Sequence, residues 1–126
     1  MPKIVIPVTK IPAVGPYSQV VEAGGLVFCS GQIPLDPQTG ILVGEDIGKA
    51  TRQVMANLAA VLEDAGLTMK DVVKTTIYLV NLDDFPIVNE IYGSCFDGQY
   101  PARATVKVAG LPKGALIEID AIAVRP

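Results

Sequence analysis

Apolar side chains recur every three or four residues at Ile47, Ala50, Val54, Leu58, Val61 and Ala65, the spacing that lays one stripe along a helix. Asp46 stands where a side-chain oxygen can cap the first turn, and Gly66 where a left-handed residue can end the last. Residues 72–80 are dense in β-branched side chains and predict a central strand. Val20-Val21 and Leu26-Val27-Phe28-Cys29, split by Gly24-Gly25, predict a β-hairpin, with a turn-rich loop following at Leu35–Gly40. Asp84-Phe85-Pro86 predicts the start of a second helix, its proline tolerated in the first turn, with Val88, Ile91, Tyr92 and Cys95 as its buried stripe. Near the C-terminus, Pro101–Val106, then Leu111-Pro112-Lys113-Gly114, then Leu116–Asp120 read as a strand, a tight turn and a return strand. The order ββ-α-β-α-ββ predicts one α+β domain over residues 1–126, a mostly antiparallel sheet with two helices on one face. The other face needs cover, which sister copies of the chain would supply.

Composition sharpens that last point. Hydrophobic residues make up 50% of the chain and charged ones only 18%, for a mean hydropathy of +0.43. A domain of 126 residues cannot hide that much apolar surface by itself, so a large subunit interface is expected. No apolar run reaches the roughly 18 residues of a membrane helix. Met1–Pro7 is too short and proline-broken for a secretory leader, so a cytoplasmic, reducing location and no membrane partner are expected. A net charge of −3 argues against a nucleic-acid partner, whose phosphates are held mainly by Lys and Arg. The absence of histidine removes Ser-His-Asp and Cys-His nucleophilic systems and the commonest zinc ligand. Cys29 and Cys95 are too few for a metal or disulfide framework and are expected as buried thiols.

The remaining chemistry centres on two residues. Arg103 offers a planar, permanently charged fork that matches a carboxylate. Glu118 sits inside an otherwise apolar run, where a carboxylate is costly unless paired or used. Each could also be a solvated charge on an outer strand face. Alternation puts Thr105 and Lys107 on the face of Arg103, with Ala102, Ala104 and Val106 on the other. Whether Arg103 and Glu118 share a face stays open, because a one-residue slip of register flips a strand, and the two could also meet across a subunit boundary. A carboxylate-binding fork, a carboxylate and no histidine point to a small carboxylate ligand. No metal, nucleotide or flavin motif is visible, and no cofactor is expected.

Five motifs in order, Gly15-Pro16-Tyr17-Ser18-Gln19, Ser30-Gly31-Gln32-Ile33-Pro34, Asn89-Glu90-Ile91-Tyr92, Pro101-Ala102-Arg103, and Leu111-Pro112-Lys113-Gly114 with Glu118, resemble the Rid (YjgF) family of reactive-intermediate deaminases. The resemblance runs from about residue 3 to 125. It implies a chorismate-mutase-like fold, a homotrimer with ligand pockets between subunits, and hydrolysis of 2-imino acids to 2-oxo acids and ammonia. Such imino acids arise from enamines released by pyridoxal-phosphate enzymes. Carried over residue by residue, Arg103 would grip the substrate carboxylate and Glu118 would position the attacking water. Tyr17, Ser30, Gly31 and Asn89 would line the pocket. One position departs: many members carry cysteine two residues after the arginine, where this chain has Thr105, whose hydroxyl can still bond a substrate. Not every member deaminates, so a non-catalytic, small-carboxylate-binding or chaperone-like homotrimer is the alternative. The endoribonuclease activity attached to some relatives fits an acidic, histidine-free chain poorly.

Overall fold

A computed structural model of the chain describes residues 2–13 and 15–126; Met1 and Val14 lie outside the described residues. The elements run β1 (Ile4–Ile6), β2 (Val20–Ala23), β3 (Leu26–Gln32), α1 (Ile47–Asp64), β4 (Val72–Leu79), α2 (Phe85–Ser94), β5 (Ala102–Lys107) and β6 (Ile117–Val124). The α+β architecture is the expected one, with one strand more than the sequence pattern offered. β1 is too short to carry an alternation of its own, and its pairing with β2 defines it.

Helix α1 forms as its stripe requires. The Asp46 carboxylate accepts the Lys49 N–H at 3.0 Å, satisfying one of the free donors of the first turn. At the other end Gly66 adopts φ +76°, and the N–H groups of Gly66 and Leu67 donate back to the carbonyls of Glu63 and Leu62. That pair of bonds is the glycine-terminated helix stop. Val54, Leu58, Val61 and Leu62 are fully buried beneath it. In α2, Val88 and Tyr92 are buried as expected, whereas Ile91 and Cys95 are only half-buried. Those two line an open groove between α2 and Met55 and Ala59 of α1, so Cys95 is not the buried thiol that Cys29 is.

The sheet order is β1-β2-β3-β6-β4-β5, and every pairing is antiparallel except β4 with β5. The β2–β3 hairpin turns at Gly24-Gly25 as predicted. The C-terminal hairpin does not form. β5 returns from α2 to lie parallel on the outer side of β4, and β6 inserts between β3 and β4. Composition explains the exchange. Ile117, Ile119, Ala121 and Ala123 are buried and suit a central strand, while β5 is largely exposed and suits an edge. The connection passes across the end of β4: the Val108 N–H donates to the Leu79 carbonyl on one side, and Val80 to Leu116 on the other. The turn within it holds Lys113 and Gly114 at φ 58° and 71°, a left-handed pair of which only the glycine is free of strain.

Both helices cover one face. On β4, Thr75, Ile77 and Leu79 point into that layer and are buried. Lys74, Thr76 and Tyr78 alternate to the open face, beside Glu118, Asp120 and Ile122 of β6. That face also carries Leu26, Phe28, Val106 and Val124, each about 40% exposed as 39%, 42%, 40% and 39%. It is the uncovered apolar surface that composition foresaw. Among the described residues no helix is long and apolar enough to cross a membrane.

Candidate functional site

Arg103 and Thr75 are register partners in parallel neighbouring strands, so both side chains leave the sheet on the helix side. Above them, Phe85, Asn89 and Tyr92 project from α2 at positions i, i+4 and i+7, one stripe of a helix. The Arg103 Nη1 donates to Asn89 Oδ1 at 2.8 Å. Its Cζ lies 5.2 Å from the Phe85 ring centroid and 5.1 Å from that of Tyr92, inside the range of cation–π attraction. Tyr92 is anchored in turn, its hydroxyl 2.7 Å from that of Thr75 with both residues buried. An open cavity of about 670 Å³ lies alongside, lined by Asn89, Tyr92, Tyr100, Pro101 and Arg103 among others. Thr105, two residues on, is not among its lining residues. Its Oγ1 is enclosed and is the one buried side-chain polar atom without a hydrogen-bond partner among the described residues.

Glu118 belongs to a second cluster. It is the register partner of Tyr78, three positions from Thr75 on β4 and therefore on the opposite, open face. β4 also stands between the strands that carry Arg103 and Glu118. Within one chain, then, fork and carboxylate lie on opposite faces and do not form one site, which answers the question of face that the strand alternation left open. Glu118 is packed against Gly31, whose missing side chain makes the space: a Cβ there would stand 2.2 Å from Oε2 and 2.7 Å from Cδ. Burial, and after it the neighbouring Asp120, raises the Glu118 carboxyl above the ordinary glutamate value. The Tyr78 hydroxyl donates to Asp120 at 2.9 Å and is itself held in the neutral form by that bond, then by burial.

Ser30 sits beside Gly31 at the irregular end of β3, where the register to β6 shifts. Both of its donors serve the preceding segment: Oγ donates to the Ser18 carbonyl at 2.6 Å and the N–H to that of Gln19 at 2.9 Å. Gln19 and Gln32, both buried, bond at 2.9 Å and tie the same segment down. Ser30 thereby fixes the loop of Tyr17, whose side chain is 44% exposed. The sequence-derived residues thus fall into two groups, Asn89 with Arg103 on the helix side, and Ser30, Gly31 and Glu118 at the end of β3, with Tyr17 on the loop tied there. Sequence reasoning missed Phe85, Tyr92 and Thr75 as neighbours of Arg103. Their spacing of 85, 89 and 92 was readable as one helix face, but Tyr92 had already been assigned to the core.

Among the described residues no three His, Cys, Asp or Glu side chains gather to hold an ion. Burial pushes the Cys29 thiol up to about 11, which leaves it a packing residue.

Fold and motifs define a class, and sequence comparison agrees. The profile described as Endoribonuclease L-PSP matches residues 8–125, and the chain belongs to that family, also known as Rid or YjgF. A 2-iminobutanoate/2-iminopropanoate deaminase of Salmonella typhimurium is 49% identical over 116 residues, 90% of each chain. A Yersinia pestis Rid-family protein of unknown function superposes with a TM-score of 0.94 at 50% identity, covering 98% of this chain and 99% of that one. TdcF of E. coli, solved with bound serine, gives 0.91 at 42% identity over 98% and 99% of the two chains.

Proposed function

We propose that this protein hydrolyses small 2-imino acids to 2-oxo acids and ammonia, as a homotrimer whose sites lie between copies. The observation that carries the reading is the division of the two charged groups. Arg103 is bonded to Asn89 beside an open cavity on one face, and Glu118 is packed against Gly31 on the other. One chain owns two half-sites, and in a closed ring of three the copy on each side completes one of them. The exposed apolar face favours such packing. Relatives at this level of identity named as imine deaminases, and a structural neighbour that holds serine, fit a pocket for small amino-acid-derived carboxylates.

In this reading Arg103 takes the substrate carboxylate and places C2 of the C=N bond before Glu118 of the neighbouring copy. Glu118 accepts a proton from water as the oxygen bonds to C2 and the C=N pair moves to nitrogen, which takes that proton back to give the carbinolamine. Glu118 then takes the carbinolamine hydroxyl proton and passes it to nitrogen as the C–N bond breaks, leaving the C=O bond and ammonia. The partly buried carboxyl, its proton affinity raised, is better matched to that exchange than an exposed one. Imines hydrolyse unaided, so the roughly 10²–10⁴-fold of a positioned acid–base is sufficient. RNA cleavage, which the family description names, is disfavoured by the net charge of −3 and the lack of histidine.

Mixing two inactive variants tests the arrangement. Arg103→Ala and Glu118→Gln should each abolish turnover of an imine generated in situ by a threonine dehydratase. Unfolded and reassembled together in equal amounts, they should recover about a quarter of native activity, since each mixed trimer rebuilds one site of three. Recovery of nothing would place the site within one chain or deny the trimer. Native protein that binds 2-oxobutanoate without accelerating hydrolysis would make it a binding protein instead.

A further inference from the structure

The guanidinium of Arg103 is held in a way that the proposed reaction does not by itself require. A carboxylate could be gripped by any exposed arginine, but a free arginine side chain samples many rotamers and surrenders that freedom on binding. Here three contacts from α2 settle the group beforehand: the Asn89 carbonyl oxygen takes Nη1 at 2.8 Å, and the rings of Phe85 and Tyr92 stand 5.2 Å and 5.1 Å from Cζ. They come from one helix stripe, so any tilt or slide of α2 would move them together.

The stripe is fixed to the sheet beneath Arg103 itself. Thr75 is the residue beside Arg103 on β4, fully buried, and its hydroxyl lies 2.7 Å from that of Tyr92, which is 3% exposed. Two buried hydroxyls that satisfy each other are costly to separate, because each would be left without a partner. The bond therefore pins the Tyr92 ring at one height above the strand that neighbours β5. Phe85 is half-buried at the start of α2, behind Asn81, whose side chain accepts the Asp83 N–H at 3.0 Å and fixes the entry to the helix.

We infer that Phe85 and the Tyr92–Thr75 pair are positioning residues, which act through Arg103 by holding its fork in the orientation that receives a substrate carboxylate. The inference rests on the reading that Arg103 binds that carboxylate. With one Nη1 hydrogen given to Asn89, Nε and Nη2 keep theirs, and these lie along one edge of the planar group and can take a carboxylate in a bidentate bond. Loss of a ring should therefore weaken ground-state and product binding alike and leave the chemistry at Glu118 intact. The signature is a rise in KM and in product Kd, with kcat little changed.

Phe85→Leu keeps an apolar side chain at a half-buried position and removes the ring. Its KM for 2-iminobutanoate and its Kd for 2-oxobutanoate should rise by about 2- to 30-fold, the range spanned by exposed to desolvated cation–π contacts. Phe85→Tyr should restore both. Thr75→Val should raise them as well, while Tyr92→Phe, which retains the ring, should do so less than Tyr92→Leu. An independent readout is the NMR signal of the Arg103 Nε–H, which the rings should shift from the ordinary arginine position and which Phe85→Leu should return toward it. An unshifted signal in the native protein, or native KM and Kd in Phe85→Leu, would overturn the inference. If the native protein neither binds the oxo acid nor turns over the imine, the functional reading fails, and the Nε–H signal still decides whether the rings hold Arg103.

Discussion

Gly31→Ala gives the sharpest access to the role of Glu118, because it alters the carboxylate without touching it chemically. A methyl group at residue 31 would stand 2.2 Å from Glu118 Oε2, 2.7 Å from Cδ and 3.0 Å from Cγ. Ordinary contact begins near 3.4 Å, so the carboxylate must retreat by about 1 Å or swing to another rotamer. The backbone at Gly31 does not require glycine: it is absent from the residues with positive φ, and the three atoms nearest the added carbon all belong to the Glu118 side chain. The displaced atoms belong to the free end of a flexible side chain, at a cost of about 0.5–1.5 kcal/mol. Replacing glycine recovers about 0.4–1 kcal/mol through the unfolded state. Net stability should therefore change by less than about 1 kcal/mol. Activity should not be spared. A misplacement of about 1 Å costs on the order of 10²-fold where a group must meet a reacting atom, and complete loss of a general base costs up to about 10⁴-fold. The expected result is a kcat for 2-iminobutanoate hydrolysis lowered by about 10²–10⁴-fold, with melting temperature, oligomeric state and 2-oxobutanoate affinity near native. Gly110→Ala, where an added Cβ meets nothing within 4 Å, is the control and should leave kcat unchanged. A Gly31→Ala protein with kcat within about threefold of native would remove Glu118 from the chemical step, for the carboxylate would then have moved without consequence.

The raised proton affinity of Glu118, due to burial first and Asp120 second, sets a pH dependence. kcat/KM should fall on the acid side at a pH above the ordinary glutamate range, and Asp120→Asn should move that limb downward; a limb that stays put contradicts the coupling. The same shift affects folding. Its stabilising contribution is present in full below the unfolded-state value and is lost as pH rises through the raised folded value. Glu118→Gln should thus match native stability in acid and exceed it near neutrality, as urea titrations at the two pH values would report. The enclosed Thr105 hydroxyl carries a desolvation cost with no bond to offset it. Thr105→Val should stabilise the protein by up to about 1–3 kcal/mol in denaturant unfolding, and a loss of stability would mean that the hydroxyl finds a partner in the assembly.

Much of this protein is written in local pattern. Helix α1 with both of its ends, the Gly24-Gly25 hairpin, the β4 strand and the start of α2 were all legible, because each depends on residues within a turn or two of one another. The uncovered apolar face was legible as well, since the chain has more hydrophobic surface than two helices can cover. The motifs marked Arg103, Glu118, Gly31 and Asn89 as residues worth following. Strand order was not legible. Residues 101–120 carry the local marks of a hairpin, yet β6 exchanges a neighbour beside it in sequence for two distant ones, β3 and β4. That choice is settled by the burial of Ile117, Ile119, Ala121 and Ala123 against helices far along the chain. The placement of Arg103 and Glu118 on opposite faces follows from the same choice. A strand's alternation states which side chains share a face but not which face, and only pairing with β4 ties the two strands to one frame. The contact of Gly31 with Glu118, and the cradle of Phe85, Asn89 and Tyr92 around Arg103, likewise exist only once sheet and helix layer have closed on each other.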